Sequence, residues 1–276
     1  MAKTALVTGA TGALGLALVR GLCRCLGDDG VVYLTSPDPE RGRAAVARLR
    51  AEGFAPRSAT LAPDDPAGVG TLADTLGARH GGVDVVIAGA AARIAFGVRN
   101  QDQVGSYVRT DNHDTHRLIE AFRPLLRDGA RFVLLAGDFG ELRHLPYRLR
   151  ARFDVERASL ADLAEVMDDY VRAVEEGRAA AEGWPAWIGV PSMIGRVAAM
   201  RILARELTED ASRRDILVNA ASVCRADPAE PMEPAERDAA VERAADDVLW
   251  LATLPADTAE PYGQLVRARA VLPLRA

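Results

Sequence analysis

Two kinds of chemistry are written into this sequence by residue type and spacing, and the first is phosphate binding. In the stretch 4–20, TALVTGATGALGLALVR, a short apolar run leads into Gly9, Gly12 and Gly15 and then into a helical pattern. Glycines so spaced let a strand-to-helix turn close, let backbone approach a ligand and let the helix lie against its strand, while free amides at the helix start attract a phosphate. Gly9, Thr11, Gly12, Leu14 and Gly15 are therefore the candidate dinucleotide contacts. The same glycines would also serve a turn whose only task is packing a strand on a helix.

The second chemistry is proton transfer. Asp111-Asn-His-Asp114 falls in a helical pattern, Asp138 follows a strand-like run ending at Gly137, and Glu141, His144 and Tyr147 come shortly after. Carboxylates, an imidazole and a phenol converging on a cavity can remove one proton and deliver another without a cofactor. Asp138 is the candidate base, Tyr147 or His144 the acid, and Asp111 a second base or an orienting group, unless it only braces its helix. His113, His116 and Asp114 lack a metalloenzyme spacing, so no metal is expected.

The elements that must carry these residues alternate. A strand is expected at the start of the stretch 4–20 and a helix after its glycine turn, with further strands at 30–36, 59–61 and 83–88 and helices at 39–53 and 67–80. A long helix is expected over 103–126, a strand over 131–136 and a polar helical insertion over about 141–182. A helix over 191–207, a strand over 215–220, a helix over 234–254 and a last strand over 263–267 complete the chain. Strands alternating with helices imply a Rossmann-like, doubly wound parallel sheet of the α/β class, with ligands at the carboxyl ends of the strands. The proline- and acid-rich piece 227–236 is a surface loop or a lid.

Length and composition set the bounds. The 276 residues can bury a sizeable core, and no compositional break demands a second domain, so one domain over 1–276 is expected. A net charge of −5 gives no basic field for nucleic acid, and no apolar run approaches a membrane span. With no signal-peptide pattern at the start, a cytoplasmic protein acting on a small molecule is expected. Cys23, Cys25 and Cys224 are read as small buried residues, not as a disulfide or metal set. Lys3 is the only lysine; every other basic residue is arginine.

The order of elements and the local sequences resemble the short-chain dehydrogenase/reductase superfamily, in its monomeric carbonyl reductase branch. The likeness runs through the glycine turn 8–15, Gly81-Gly-Val-Asp-Val-Val86, Arg131-Phe-Val, the insertion ending Glu182-Gly-Trp-Pro185, Asp215-Ile-Leu-Val-Asn-Ala220 and the stretch 254–264. The insertion implies a monomer more than a homodimer, and the fold implies an NAD or NADP site. Family chemistry uses a tyrosine acid, a lysine four residues later, a serine and an asparagine. Carried onto this chain, those positions hold Gly189, Met193, Gly137 and Asp111. No lysine exists beyond position 3 and no tyrosine lies between Tyr170 and Tyr262, so that tyrosine–lysine pair is excluded by inventory.

Companion positions for the nucleotide differ as well. The usual Asn-Asn-Ala-Gly after the fourth strand is Ala88-Gly-Ala-Ala91, the aspartate after the third strand is Ala62, and an arginine of NADP users is Pro37, with Arg41 and Asp38 nearby. The resulting expectation is a reductase homologue that needs no cofactor and works as an acid/base cyclase, isomerase or dehydratase on an oxygenated, polyketide-like metabolite. Two other readings stay open: an NAD(P)H-dependent carbonyl reductase with a relocated proton donor, and a non-catalytic protein that binds a ligand or partner.

Overall fold

The computed structural model describes residues 2–62, 65–223 and 233–273. In chain order the elements are β1 (Thr4–Val7), α1 (Ala13–Leu26), β2 (Val31–Ser36), α2 (Pro39–Ala51), β3 (Arg57–Thr60), α3 (Gly68–His80) and β4 (Val83–Ala88). Then come α4 (Asn100–Val108), α5 (Asp114–Phe122), β5 (Leu126–Ala136), α6 (Tyr147–Arg150), α7 (Leu160–Glu175), α8 (Ala179–Glu182) and α9 (Gly189–Arg214). The described chain closes with β6 (Leu217–Ser222), α10 (Pro234–Ala252), β7 (Leu265–Arg267) and β8 (Ala270–Leu272). One sheet runs β3-β2-β1-β4-β5-β6-β7-β8, parallel throughout except for the antiparallel β7–β8 pair. The α/β, doubly wound architecture predicted from the alternation is the one observed.

Strand residues alternate between two cores because successive side chains leave opposite faces of a pleated strand. Leu6, Val86, Phe132 and Val218 pack under α3, α4, α5, α7 and α9, whereas Ala5, Val7, Val85, Ile87 and Val133 pack under α1, α2 and α10. Both faces are covered, so the central strands read as near-continuous apolar runs.

Several boundaries differ from the sequence reading, each for a physical reason. The helix expected over 103–126 is broken by a π turn, Arg109–His113, and stops at Phe122, where Pro124 forces a 3-10 turn, Arg123–Leu125. The C-terminal hairpin was missed because its turn, Ala268 and Arg269, has φ of 46° and 62° without the Gly or Asn that usually advertises one. Cys25 is exposed, since α1 buries its Leu18 and Leu22 side; Cys224 lies outside the described residues. The lid candidate 227–236 falls mostly outside them too, and its last residues begin α10.

The segment 141–182 holds α6, α7 and α8 with two 3-10 turns. Its principal helix, α7, starts at a reciprocal cap: Ser159 Oγ accepts from Asp162 N, and the Asp162 carboxylate accepts from Ser159 N. It buries Leu163, Met167 and Tyr170 against α4 and α9. Among the described residues, no helix is long and apolar enough to cross a membrane, and no cluster of His, Cys, Asp or Glu is arranged to hold a metal.

Candidate active site

The carboxyl ends of β1, β2, β4 and β5 open into one cleft of about 610 Å³, reached also by α5, α9 and α10. All five candidate dinucleotide contacts, Gly9, Thr11, Gly12, Leu14 and Gly15, line it. The turn is wired to the strands on either side. Gly9 N donates to Thr35 Oγ1 at 3.1 Å, and Thr8 Oγ1 accepts from Gly89 N at 3.0 Å and Ala90 N at 3.1 Å.

The three glycines answer to different demands. Gly9 has a φ of +65°, and a Cβ there would lie 2.6 Å from Ala90 Cα; a Cβ on Gly15 would fall on the Ala10 backbone. Packing therefore explains both. Gly12 has ordinary extended geometry, φ −87° and ψ 174°, and a Cβ there would meet nothing within 4 Å. No side chain caps α1 at Gly12, so its leading amides open onto the same space.

At the far end, Arg41 stands on the rim near Thr35 and Pro37. Asp38 is occupied as the N-cap of α2, accepting from Glu40 N at 2.8 Å and Arg41 N at 3.4 Å. Arg93 and Arg237 also line the cleft, so a chain of net charge −5 presents a basic concavity here.

The floor is a buried ion pair. Asp111, in the π turn, and Arg196, on α9, are each 2 % exposed and stand 3.8 Å apart. Asp111 Oδ1 accepts from Ala92 N at 2.6 Å, and Arg196 donates to Ala90 O at 2.7 Å and Ala88 O at 3.1 Å. Beside them Ser192 Oγ donates to Asn112 Oδ1 at 2.7 Å, and Asn112 Nδ2 returns a bond to Ser192 O at 3.0 Å. Asp114 also lines the cleft, its carboxyl pushed above the usual range by burial and partly restrained by Arg117.

Two side chains fill space that the neighbouring glycines leave. A Cβ on Gly137 would sit 2.6 Å from the Met193 Sδ and Cε, and a Cβ on Gly189 would sit 2.9 Å from Trp187 Cζ2. The Trp187 ring then meets Phe139 edge-on at 4.9 Å, and Phe139 meets His144 at 5.1 Å. Because the Gly137 contact is with the far end of a flexible methionine, Gly137→Ser should cost at most about 1 kcal/mol as the thioether moves aside, which urea unfolding checks.

Of the four proton-transfer candidates, only Asp111 lines the cleft. Asp138 follows Gly137 beyond the end of β5 and turns away from the cleft, to Arg267 at the end of β7 at 2.9 Å. His144 stands with Nε2 3.8 Å from Glu141 Oε1, and Tyr147 is 86 % exposed. Asp111 is thus not gathered with the other three. Arg196 and Trp187 escaped the sequence reading, although one arginine within the apolar run of α9 was a signal for a buried charge.

No protein-family model matches the chain. Carbonyl reductase [NADPH] 3 of Mus musculus is 34% identical over 273 residues, covering 98% of this chain and 97% of the relative. Carbonyl reductase [NADPH] 1 of Homo sapiens is 33% identical over 273 residues, covering 97% and 96%. Menthone neomenthol reductase from Mentha piperita superposes with a TM-score of 0.80 at 21% identity, covering 97% of this chain and 99% of that structure, a likeness of fold. These findings overturn the expectation of a cofactor-independent cyclase, isomerase or dehydratase. Relatives matching nearly the whole chain are named as NADPH carbonyl reductases.

Proposed function

The chain belongs to the carbonyl reductase family of the short-chain dehydrogenases/reductases, and from that premise we propose that it is an NADPH-dependent oxidoreductase reducing a carbonyl group of a small molecule. The observation that supports the reading most is Gly12. Its missing side chain is required neither by backbone conformation nor by any neighbouring protein atom, and it leaves the approach to the first amides of α1 open to a ligand. The residues present fit the nucleotide: the amides of Gly12 to Leu14 would hold its pyrophosphate, and Arg41, which also lines the cleft, would pair with a 2′-phosphate. Asp38 caps α2 through Oδ1, and it is the cation at Arg41, together with the NADPH in the relatives' names, that favours NADPH over NADH.

Bound there, the reduced nicotinamide supplies a hydride to the carbonyl carbon. The positions of the family's tyrosine, lysine and serine hold Gly189, Met193 and Gly137, and the space beside two of them is filled by Trp187 and Met193. The chain's own part is therefore binding and orientation. Asp111, held by Ala92 N and Arg196, acts as an orienting carboxylate. The proton for the new hydroxyl comes from water at the open rim, the relocated donor of this reductase. The cover of α7 over α4 and α9 favours a monomer.

Titrating the purified protein with NADPH and NADH, by nicotinamide fluorescence and calorimetry, tests the reading. Micromolar NADPH affinity with NADH at least about tenfold weaker, roughly 1.4 kcal/mol, is expected. Absence of binding at millimolar NADPH would overturn it. Tight binding without NADPH oxidation across a panel of ketones and aldehydes would reduce the protein to a nucleotide binder.

A further inference from the structure

We infer that Arg196 is a positioning residue for the nucleotide, gripping from its carbonyl side a cleft wall that has no side chains with which to anchor itself; the inference rests on the NADPH reading above. The wall is Ala88-Gly-Ala-Ala91, three methyl groups and a hydrogen, and all four residues line the cleft. Such a segment can be fixed only through its backbone, by groups brought from elsewhere.

Two residues bring them. Thr8 Oγ1 takes the amides of Gly89 and Ala90, and the Arg196 guanidinium takes the carbonyls of Ala88 and Ala90. Ala90 is held at both its N–H and its C=O. It is also the residue against which Gly9 is packed, so the place of Ala90 sets the room in which the glycine turn closes. Through these contacts α9 is linked to the turn that faces the phosphates.

The energetics argue against a purely structural role. Removing a guanidinium from water costs several kcal/mol, and well-packed apolar residues often replace a buried ion pair at no loss of stability. The neighbours of Arg196 on α9 are apolar, Met193, Ile194, Val197 and Ala199 among them, and an apolar residue at 196 would suit that setting. A charge is kept instead at the cleft floor, with Asp111 3.8 Å away to balance it. Its planar fork spans two carbonyls two residues apart, a task for which an ammonium is poorly shaped.

The experiment compares wild type with Arg196→Met, Arg196→Lys and the double variant Asp111→Asn/Arg196→Met by NADPH titration and by hydrogen exchange of the 86–94 stretch. Arg196→Met is expected to weaken NADPH binding by about tenfold or more. It should also speed exchange at 88–91 while leaving protection in β5 and β6 as in wild type, and Arg196→Lys should recover part of both. The double variant leaves no uncompensated carboxylate and carries the same expectation should the single variant fold poorly. Wild-type NADPH affinity in a folded Arg196→Met or double variant would overturn the inference. If wild type itself bound no NADPH, the functional reading would fall, and unchanged exchange at 88–91 would sink the role of Arg196 separately.

Discussion

Gly12→Val removes NADPH binding and leaves the protein folded. The valine Cβ enters space where no protein atom lies within 4 Å, on a backbone of φ −87° and ψ 174° that any residue adopts. The cost to stability is that of a poorer N-cap for α1, about 1 kcal/mol. The cost to binding is larger, because the two new methyl groups occupy the approach to the leading amides of α1. A loss of at least about 100-fold, roughly 2.7 kcal/mol, is expected. Fluorescence titration and urea unfolding of the same preparation check the two halves, and a folded Gly12→Val that binds NADPH like wild type would remove the cofactor from this turn. Gly9 and Gly15 are the wrong positions for the experiment. A Cβ at either collides with the backbone of Ala90 or Ala10, so loss of binding there would report loss of fold.

Arg131→Met should produce the largest stability change outside the cleft. Arg131 is 3 % exposed at the amino end of the sheet, on β5 beside the first residue of β6. It donates to Leu254 O at 3.1 Å, Pro255 O at 2.7 Å and Asp215 O at 2.5 Å, and stands 3.2 Å from both Asp215 carboxylate oxygens. Four carbonyls, that of Ala130 at 3.3 Å included, and one carboxylate thus depend on a single guanidinium, which ties the end of α9 and the turn after α10 to β5. Methionine fills most of the volume and satisfies none of them. Breaking a buried pair by removing one partner costs about 3–5 kcal/mol, which urea denaturation reads as a lower midpoint at unchanged slope. The folded fraction should bind NADPH as wild type does, since the cleft is at the opposite end of the strands. A change under about 1 kcal/mol would show that these bonds are replaced by water.

What was legible in the sequence was whatever a single segment decides. The glycine turn, β4 and the helices α2, α3 and α10 are local patterns of period and punctuation, and the structure places their bounds within two residues. The π turn at Arg109–His113 was not legible, because a one-residue bulge leaves the helical periodicity on both sides nearly intact. It nonetheless decides that Asp111 lies in the cleft. Asp138 was misplaced for a related reason: the residue after a strand can turn to either face, and its partner Arg267 is more than a hundred positions away. Arg196 required knowing that the carbonyls of Ala88 and Ala90 stand above it, and no spacing within α9 carries that information. The cofactor was misjudged through counting lost family residues, a count that weighs proton-transfer groups and backbone amides alike. Nucleotide binding at such a turn depends on the amides, and any residue supplies those.

The glycines and their bulky neighbours couple positions in pairs. A side chain at 189 meets the Trp187 ring, and one at 137 meets the end of Met193, so the effect of enlarging either residue depends on what stands at its partner. The pair at 189 is the stiffer of the two, because an indole has fewer ways to move aside than a thioether.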